Sequence, residues 1–110
     1  MERYTERWKA GIGLVRHMWR FFVQHADTDP AAMMPAMRQA FDACQAVWAR
    51  MGETDRDIVR MYHTAPRERR ALDIAVRNYA AQRGMSTDEI MAAVCRAWKA
   101  VALERGIADE

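Results

Sequence analysis

Lysine is almost missing from this chain: of seventeen basic residues only Lys9 and Lys99 are lysines, and the other fifteen are arginines. Arginine suits bidentate contacts with phosphate or carboxylate, although a GC-rich coding bias produces the same composition. Cysteine is as scarce. Cys44 and Cys95 are the only two, and both lie inside apolar helical patterns rather than as a close pair, so free thiols in a reducing cytoplasm are expected instead of a disulfide. No apolar run approaches the roughly 20 residues that a membrane span needs. The opening MERYTERWKAG carries acids and aromatics without an uninterrupted apolar core, which excludes a secretory signal. These absences predict a cytoplasmic protein with no membrane partner. Catalytic signatures are missing too: there is no HExxH, no GxxxxGK[ST] loop and no GxGxxG after a strand. His17, His25 and His63 have no ligand-spaced cysteine or histidine nearby, so neither a metal, a cofactor nor an enzyme activity is expected.

The remaining composition is that of a folded domain. With 110 residues, 51% of them apolar and 29% charged, the chain can build a single core over residues 1–110 without staples. A net charge of +2 is spread evenly: residues 1–51 carry seven basic and five acidic side chains, and residues 52–110 carry ten of each. Neither half is a basic arm.

Apolar periodicity predicts helices throughout. Tyr4, Trp8, Ile12, Val15, Trp19 and Phe22 step by fours and threes, with Leu14, Met18 and Phe21 widening the stripe; Lys9, Arg16, Arg20 and Gln24 fall on the opposite, solvated side. Gly11 and Gly13 weaken this helix and suggest the close approach of another. HADTDP breaks it, with Asp27 or Asp29 able to cap and Pro30 suited to a first turn. Met34, Met37, Phe41, Cys44, Trp48 and Met51 then repeat to a stop at Gly52. The short connection predicts an antiparallel hairpin over 1–52. In the second half, 53–110, Thr54 caps a short helix with Ile58, Val59, Met61 and Tyr62 apolar. Pro66 opens a fourth helix that buries Ala71, Ile74, Ala75, Val76 and Tyr79. Arg67, Arg69 and Arg70 crowd its first turn, the unfavourable end of the helix dipole, where Glu68 and Asp73 can offset them. The fifth helix begins at Ser86 with Glu89 completing a capping box, carries Ile90, Val94, Ala97 and Val101 in one apolar row beside Met91, Trp98 and Ala102, and stops at Gly106. The expected fold class is all-α, a five-helix bundle.

The most specific local signal runs from Tyr79 to Gly106. Ala80, Gly84 and Ile90 have the spacing of a helix-turn-helix: a small residue at the helix crossing, a glycine in the turn, an aliphatic anchor in the second helix. Joined with Arg56, Ile58, Val59, Met61 and Tyr62 upstream and with Met85, Ser86, Arg96 and Ala97, this half resembles the DNA-binding region of sigma factors and their small phage-encoded relatives. The chain departs from that pattern at Arg83, where an aliphatic residue is usual, and in the longer separation of Tyr62 from Ala80. The resemblance covers roughly the last 55 residues and implies a trihelical unit on which the N-terminal hairpin packs. It also implies a phage- or prophage-type transcription regulator whose partner is duplex DNA or RNA polymerase.

The residue chemistry narrows how DNA could be held. Base readout favours Arg, Lys, Asn and Gln at the start of the recognition helix, yet Ser86, Thr87, Asp88, Met91, Ala92 and Cys95 stand there. Contacts are therefore expected from Thr87 and from the phosphate-directed Arg67, Arg69, Arg70, Arg77, Arg83, Arg96 and Lys99, which give affinity without sequence choice. A second reading stays open: a protein-binding inhibitor or adaptor, for example a phage-encoded blocker of a host defence nuclease such as an anti-CRISPR, motivated by the near-neutral charge and the Met- and Trp-rich hairpin. A homodimer through surplus apolar surface of the first two helices is the third.

Overall fold

A computed structural model describes residues 6–106, with side chains from residue 11 onward. The expectations for Tyr4 and the residues after Gly106 lie outside that range, and those for the side chains of Trp8 and Lys9 lie outside the described side chains. Among the described residues the chain is all-helical, with no strand: α1 (Glu6–Gln24), a single 3₁₀ turn (Pro30–Ala32), α2 (Pro35–Arg50), α3 (Glu53–Thr64), α4 (Arg69–Arg83) and α5 (Thr87–Glu104). α5 is the central element and packs against each of the other four, while α1 also packs on α2 and α3.

The buried side chains explain that centrality. Ile90, Val94 and Val101 of α5 are fully enclosed, with Ala93, Ala97 and Ala102 letting neighbouring backbones come close. α1 delivers Val15, Met18, Trp19 and Phe22, α2 delivers Phe41, Cys44 and Val47, and α3 delivers Ile58, Val59 and Tyr62 to the same core. Burying a side chain of this size contributes about 1.5–3 kcal/mol, so the bundle is held chiefly by the faces that meet α5.

Several boundaries differ from expectation, and proline accounts for most of them. Asp29 does cap, its carboxylate accepting from the amide of Ala31 at 3.0 Å, but what it caps is the 3₁₀ turn. α2 starts later because Pro35 takes the first helical position and holds Met34 extended at ψ 150°. Met34 and Met37 therefore fall outside the packed stripe and are 70% and 41% exposed. Pro66 likewise leaves Ala65 extended without starting a helix; α4 begins at Arg69, where the Glu68 carboxylate accepts from the amides of Arg70 and Ala71 at 3.0 and 2.9 Å. That carboxylate answers the arginines at the dipole's positive end. The later start changes which side chains of α4 face inward: Leu72, Val76, Tyr79 and Ala80 are buried, Ala71 and Ala75 are half-buried, and Ile74 is exposed.

Three further expectations are corrected. Gly52 is not a left-handed stop: at φ −71° it is the extended residue before α3, which begins at Glu53 without a cap from Thr54. Leu14 is 52% exposed instead of widening the α1 stripe, and a side chain at Gly13 would meet nothing within 4 Å, so no helix approaches there. Gly11 is buried. Arg20 is half-buried instead of solvated, and its Nη1 donates to the carbonyl of Ala65 at 3.4 Å.

The turn between α4 and α5 agrees with expectation in detail. Gly84 takes φ 64°, ψ 32°, and its amide and that of Met85 both close on the Ala80 carbonyl. Ser86 and Glu89 form the reciprocal capping box. Since a Cβ at Gly84 would touch nothing within 4 Å, the cost of Gly84→Ala is conformational. It is expected to lower the unfolding free energy by about 1 kcal/mol, read as a lower urea midpoint at unchanged slope; an unshifted midpoint would mean the turn tolerates a right-handed residue.

Candidate nucleic-acid interface

The residues expected to face DNA separate into two groups once the helices are in place. Arg69, Arg70 and Arg77 are exposed on α4, with Arg67 just ahead of it, and none of these makes an ion pair among the described residues. At 1.5 Å per residue the row from Arg69 to Arg77 extends over about 12 Å of the first helix of the pair.

Arg83 and Arg96 are engaged by acids of α3. Arg83 Nη2 donates to Asp57 Oδ2 at 2.9 Å, and its guanidinium lies 5.0 Å from the centroid of the Tyr79 ring. Asp57 also accepts from the Tyr79 hydroxyl at 2.6 Å and stands 3.7 Å from Arg60. Arg83 thus ties α4 to α3, which gives a physical reason for an arginine where the helix-turn-helix pattern usually has an aliphatic residue. Burial, followed by the bond to Asp57, holds the Tyr79 phenol above its ordinary range. Arg96 donates to Asp55 at 3.3 Å. Lys99 is half-buried and also engaged, and Thr87 is exposed at the first turn of α5. Neither Asp55 nor Asp57 was marked by the sequence, because both read as ordinary first-turn acids until α4 and α5 fold back onto α3.

α5 presents Asp88, Ala92 and Arg96 to solvent, with Met91, Cys95 and Lys99 partly covered beside them. Between α3, α4 and α5 runs a cleft of about 320 Å³ lined by Tyr62, Asp73, Val76, Arg77, Thr87 and Met91. Asp73 and Arg77 stand one turn apart without forming an ion pair, so the cleft carries both signs of charge.

No known protein family, characterised protein or solved structure matches this chain. The site is therefore argued from its own geometry. Three other features bear on it. Cys44 and Cys95 are free, and burial pushes the Cys44 thiol up to about 12, leaving it an inert core residue. No three His, Cys, Asp or Glu side chains gather among the described residues. No described helix is long and apolar enough to cross a membrane.

The feature that sequence reasoning missed most completely is His63, which is 1% exposed at the centre of the bundle. Its Nδ1 sits 2.7 Å from the Val59 carbonyl and its Nε2 lies 3.1 Å from Trp98 Nε1. An indole N–H can only donate, so Nε2 must accept and Nδ1 must carry the proton that Val59 accepts. The ring is held as one neutral tautomer, and burial depresses it to about 4. Trp19 stacks on it at 6.3 Å and donates its own N–H to the Ala97 carbonyl at 3.2 Å. α1, α3 and α5 are thereby joined through satisfied polar contacts inside the apolar core.

Proposed function

We propose that this chain is a small, cytoplasmic transcription regulator of the phage or prophage type that binds duplex DNA, alone or with RNA polymerase, through α4 and α5. In this reading α3, α4 and α5 form the trihelical binding unit and the α1–α2 hairpin is its scaffold. The observation that carries it is the three-residue turn Gly84–Met85–Ser86, left-handed at its glycine, joining a helix with exposed, unpaired Arg69, Arg70 and Arg77 to a second helix with an open N-terminal face. In such a pair the first helix crosses the phosphate backbone and the second enters the major groove, which matches arginines on α4. Because α5 offers Thr87, Asp88 and Ala92 at its start and its Arg96 is engaged by Asp55, the binding it supports is to the backbone and is tolerant of sequence.

The expected result is salt-dependent binding to random duplex DNA, with a log–log slope of about −3 for three neutralised phosphates. Arg70→Ala and Arg77→Ala each reduce the slope by about one. Asp57→Asn releases Arg83 and strengthens binding. Fluorescence anisotropy at low and moderate salt is the measurement; no binding to any duplex at low salt, together with no association with RNA polymerase, removes the proposal.

One observation favours a protein partner instead. Met34 and Met37 are strongly exposed at the start of α2, a deformable apolar patch of the kind that adapts to protein surfaces. An inhibitor or adaptor acting on a host nuclease would use this end of the molecule. Its partner would be captured from lysate despite nuclease treatment and lost in Met34→Ser/Met37→Ser.

A further inference from the structure

The cleft between α3, α4 and α5 is lined by polar side chains that the packing of the bundle leaves without partners. Tyr62 lines it from α3; the residue is 7% exposed, and its ring is held edge-on against His63 at 5.1 Å and Trp98 at 5.9 Å. Among the described residues its hydroxyl makes no hydrogen bond. Buried hydroxyls have a partner in the large majority of cases, and one without calls for an explanation. Burial leads in holding this phenol above its usual range, ahead of the charges of Arg16, Cys95 and Asp73, so at neutral pH it is a protonated donor.

Asp73 and Arg77 form the α4 wall of the same cleft. An acid four residues before a base is the favoured order for an ion pair on a helix, and on α2 Arg38 and Asp42 pair at 3.7 Å even in the reverse order. Asp73 and Arg77 nevertheless form no ion pair with each other or with any other described residue. Thr87, in the first turn of α5, adds a second hydroxyl without a hydrogen bond among the described residues. The rest of the lining is apolar: Leu72 and Val76 are buried, and Met91 is half-buried. At about 320 Å³ the cleft has the volume of about ten water molecules. An apolar lining with a few converging polar groups is the usual form of a small-ligand site.

We infer that this cleft binds a small zwitterion of the α-amino-acid class with an apolar side chain: its ammonium on Asp73, its carboxylate on Arg77 and the Tyr62 hydroxyl, its side chain against Leu72, Val76 and Met91. An anion alone would meet the Asp73 carboxylate and a cation alone the Arg77 guanidinium, whereas a ligand carrying both signs answers both. The guanidinium fork takes a carboxylate bidentately, and the phenol supplies a further donor. Ligand binding requires no nucleic acid; only the consequence that ligand and duplex compete for Arg77 rests on the DNA-binding reading.

The test is isothermal titration calorimetry of the full chain with L-leucine, L-methionine and L-phenylalanine, and with the amine and the carboxylic acid that share the side chain of the best binder. Saturable binding of at least one amino acid is expected, with both single-charge analogues weaker by about tenfold or more. Asp73→Asn and Arg77→Ala, both at exposed positions, should each weaken binding to a similar degree. Tyr62→Phe removes only the hydroxyl and should weaken it about tenfold, the loss of one hydrogen bond to a charged group. In the free protein the same variant should keep or raise the urea midpoint, since the hydroxyl has no partner to lose. Arg70→Ala, outside the cleft, should bind the amino acid like the parent even where DNA affinity falls. No saturation by any of the three, equal binding of the single-charge analogues, or a lowered midpoint for Tyr62→Phe would overturn the site without bearing on the DNA reading.

Discussion

Between pH 6.5 and pH 4 the protein is expected to lose about 3 kcal/mol of unfolding free energy through His63 alone. Above 6.5 the imidazole is neutral whether the chain is folded or not, and it contributes no pH dependence. As the pH falls below 6.5 the unfolded chain takes up a proton that the folded one refuses, because Nε2 already accepts from Trp98 and the ring is enclosed. Stability therefore falls by about 1.4 kcal/mol per pH unit until the folded ring protonates near 4, where the loss levels off. Domains of this size are stable by only about 5–15 kcal/mol, so the effect reaches a large part of the total. His63→Gln keeps an acceptor for Trp98 while removing the titration. Urea unfolding at pH 7, 6, 5 and 4 should show the parent losing its advantage over this variant as the solution is acidified. Parallel curves would mean that the imidazole protonates in place and that its two hydrogen bonds do not hold the tautomer.

Trp19→Ala is expected to cost about 4 kcal/mol at neutral pH, near the upper range for core truncations. The indole is fully enclosed, touches Phe22 edge-on at 5.6 Å and Trp48 at 6.3 Å, and stacks on His63. Its N–H bond to Ala97 is a polar link from α1 to the centre of α5. Truncation opens a void among three aromatic neighbours that α1 and α5 cannot collapse without losing their register, since both are also held by α3. Trp19→Phe should cost roughly half as much, because the ring contacts persist and only the hydrogen bond and part of the volume are lost. A urea midpoint for Trp19→Ala within about 1 kcal/mol of the parent would show that α1 is not held to the bundle by this side chain.

These two residues bear differently on how much can be read from the chain. Trp19 stands in a three-four apolar repeat, and its burial follows from that periodicity. His63 stands at the polar-looking end of a short helix, and a lone histidine there gives no sign of being enclosed. Only when α5 brings Trp98 against α3 does the ring acquire a partner for Nε2. The same distinction separates the correct and incorrect boundaries. Ser86, Glu89 and Gly84 act through atoms within a few residues of themselves, so their roles are readable locally. Pro30 and Pro66 looked like helix starts because proline is suited to a first turn. Pro30 opens only the 3₁₀ turn, α2 starts at Pro35 behind an extended Met34, and the Glu68 carboxylate sets the α4 start at Arg69.

The all-α class, the five helices, the capping box of α5 and the glycine turn before it were determined by the sequence itself, since periodicity and capping depend on neighbours three or four residues away. Which arginines remain available was decided only by tertiary structure. Arg83 and Arg96 are indistinguishable in the sequence from Arg70 and Arg77, yet α3 places Asp57 and Asp55 within 2.9 and 3.3 Å of the first two, while among the described residues the others form no ion pair. The seat of Arg20 has the same origin: its Nη1 reaches the Ala65 carbonyl because α1 packs across α3, a contact that no local pattern encodes.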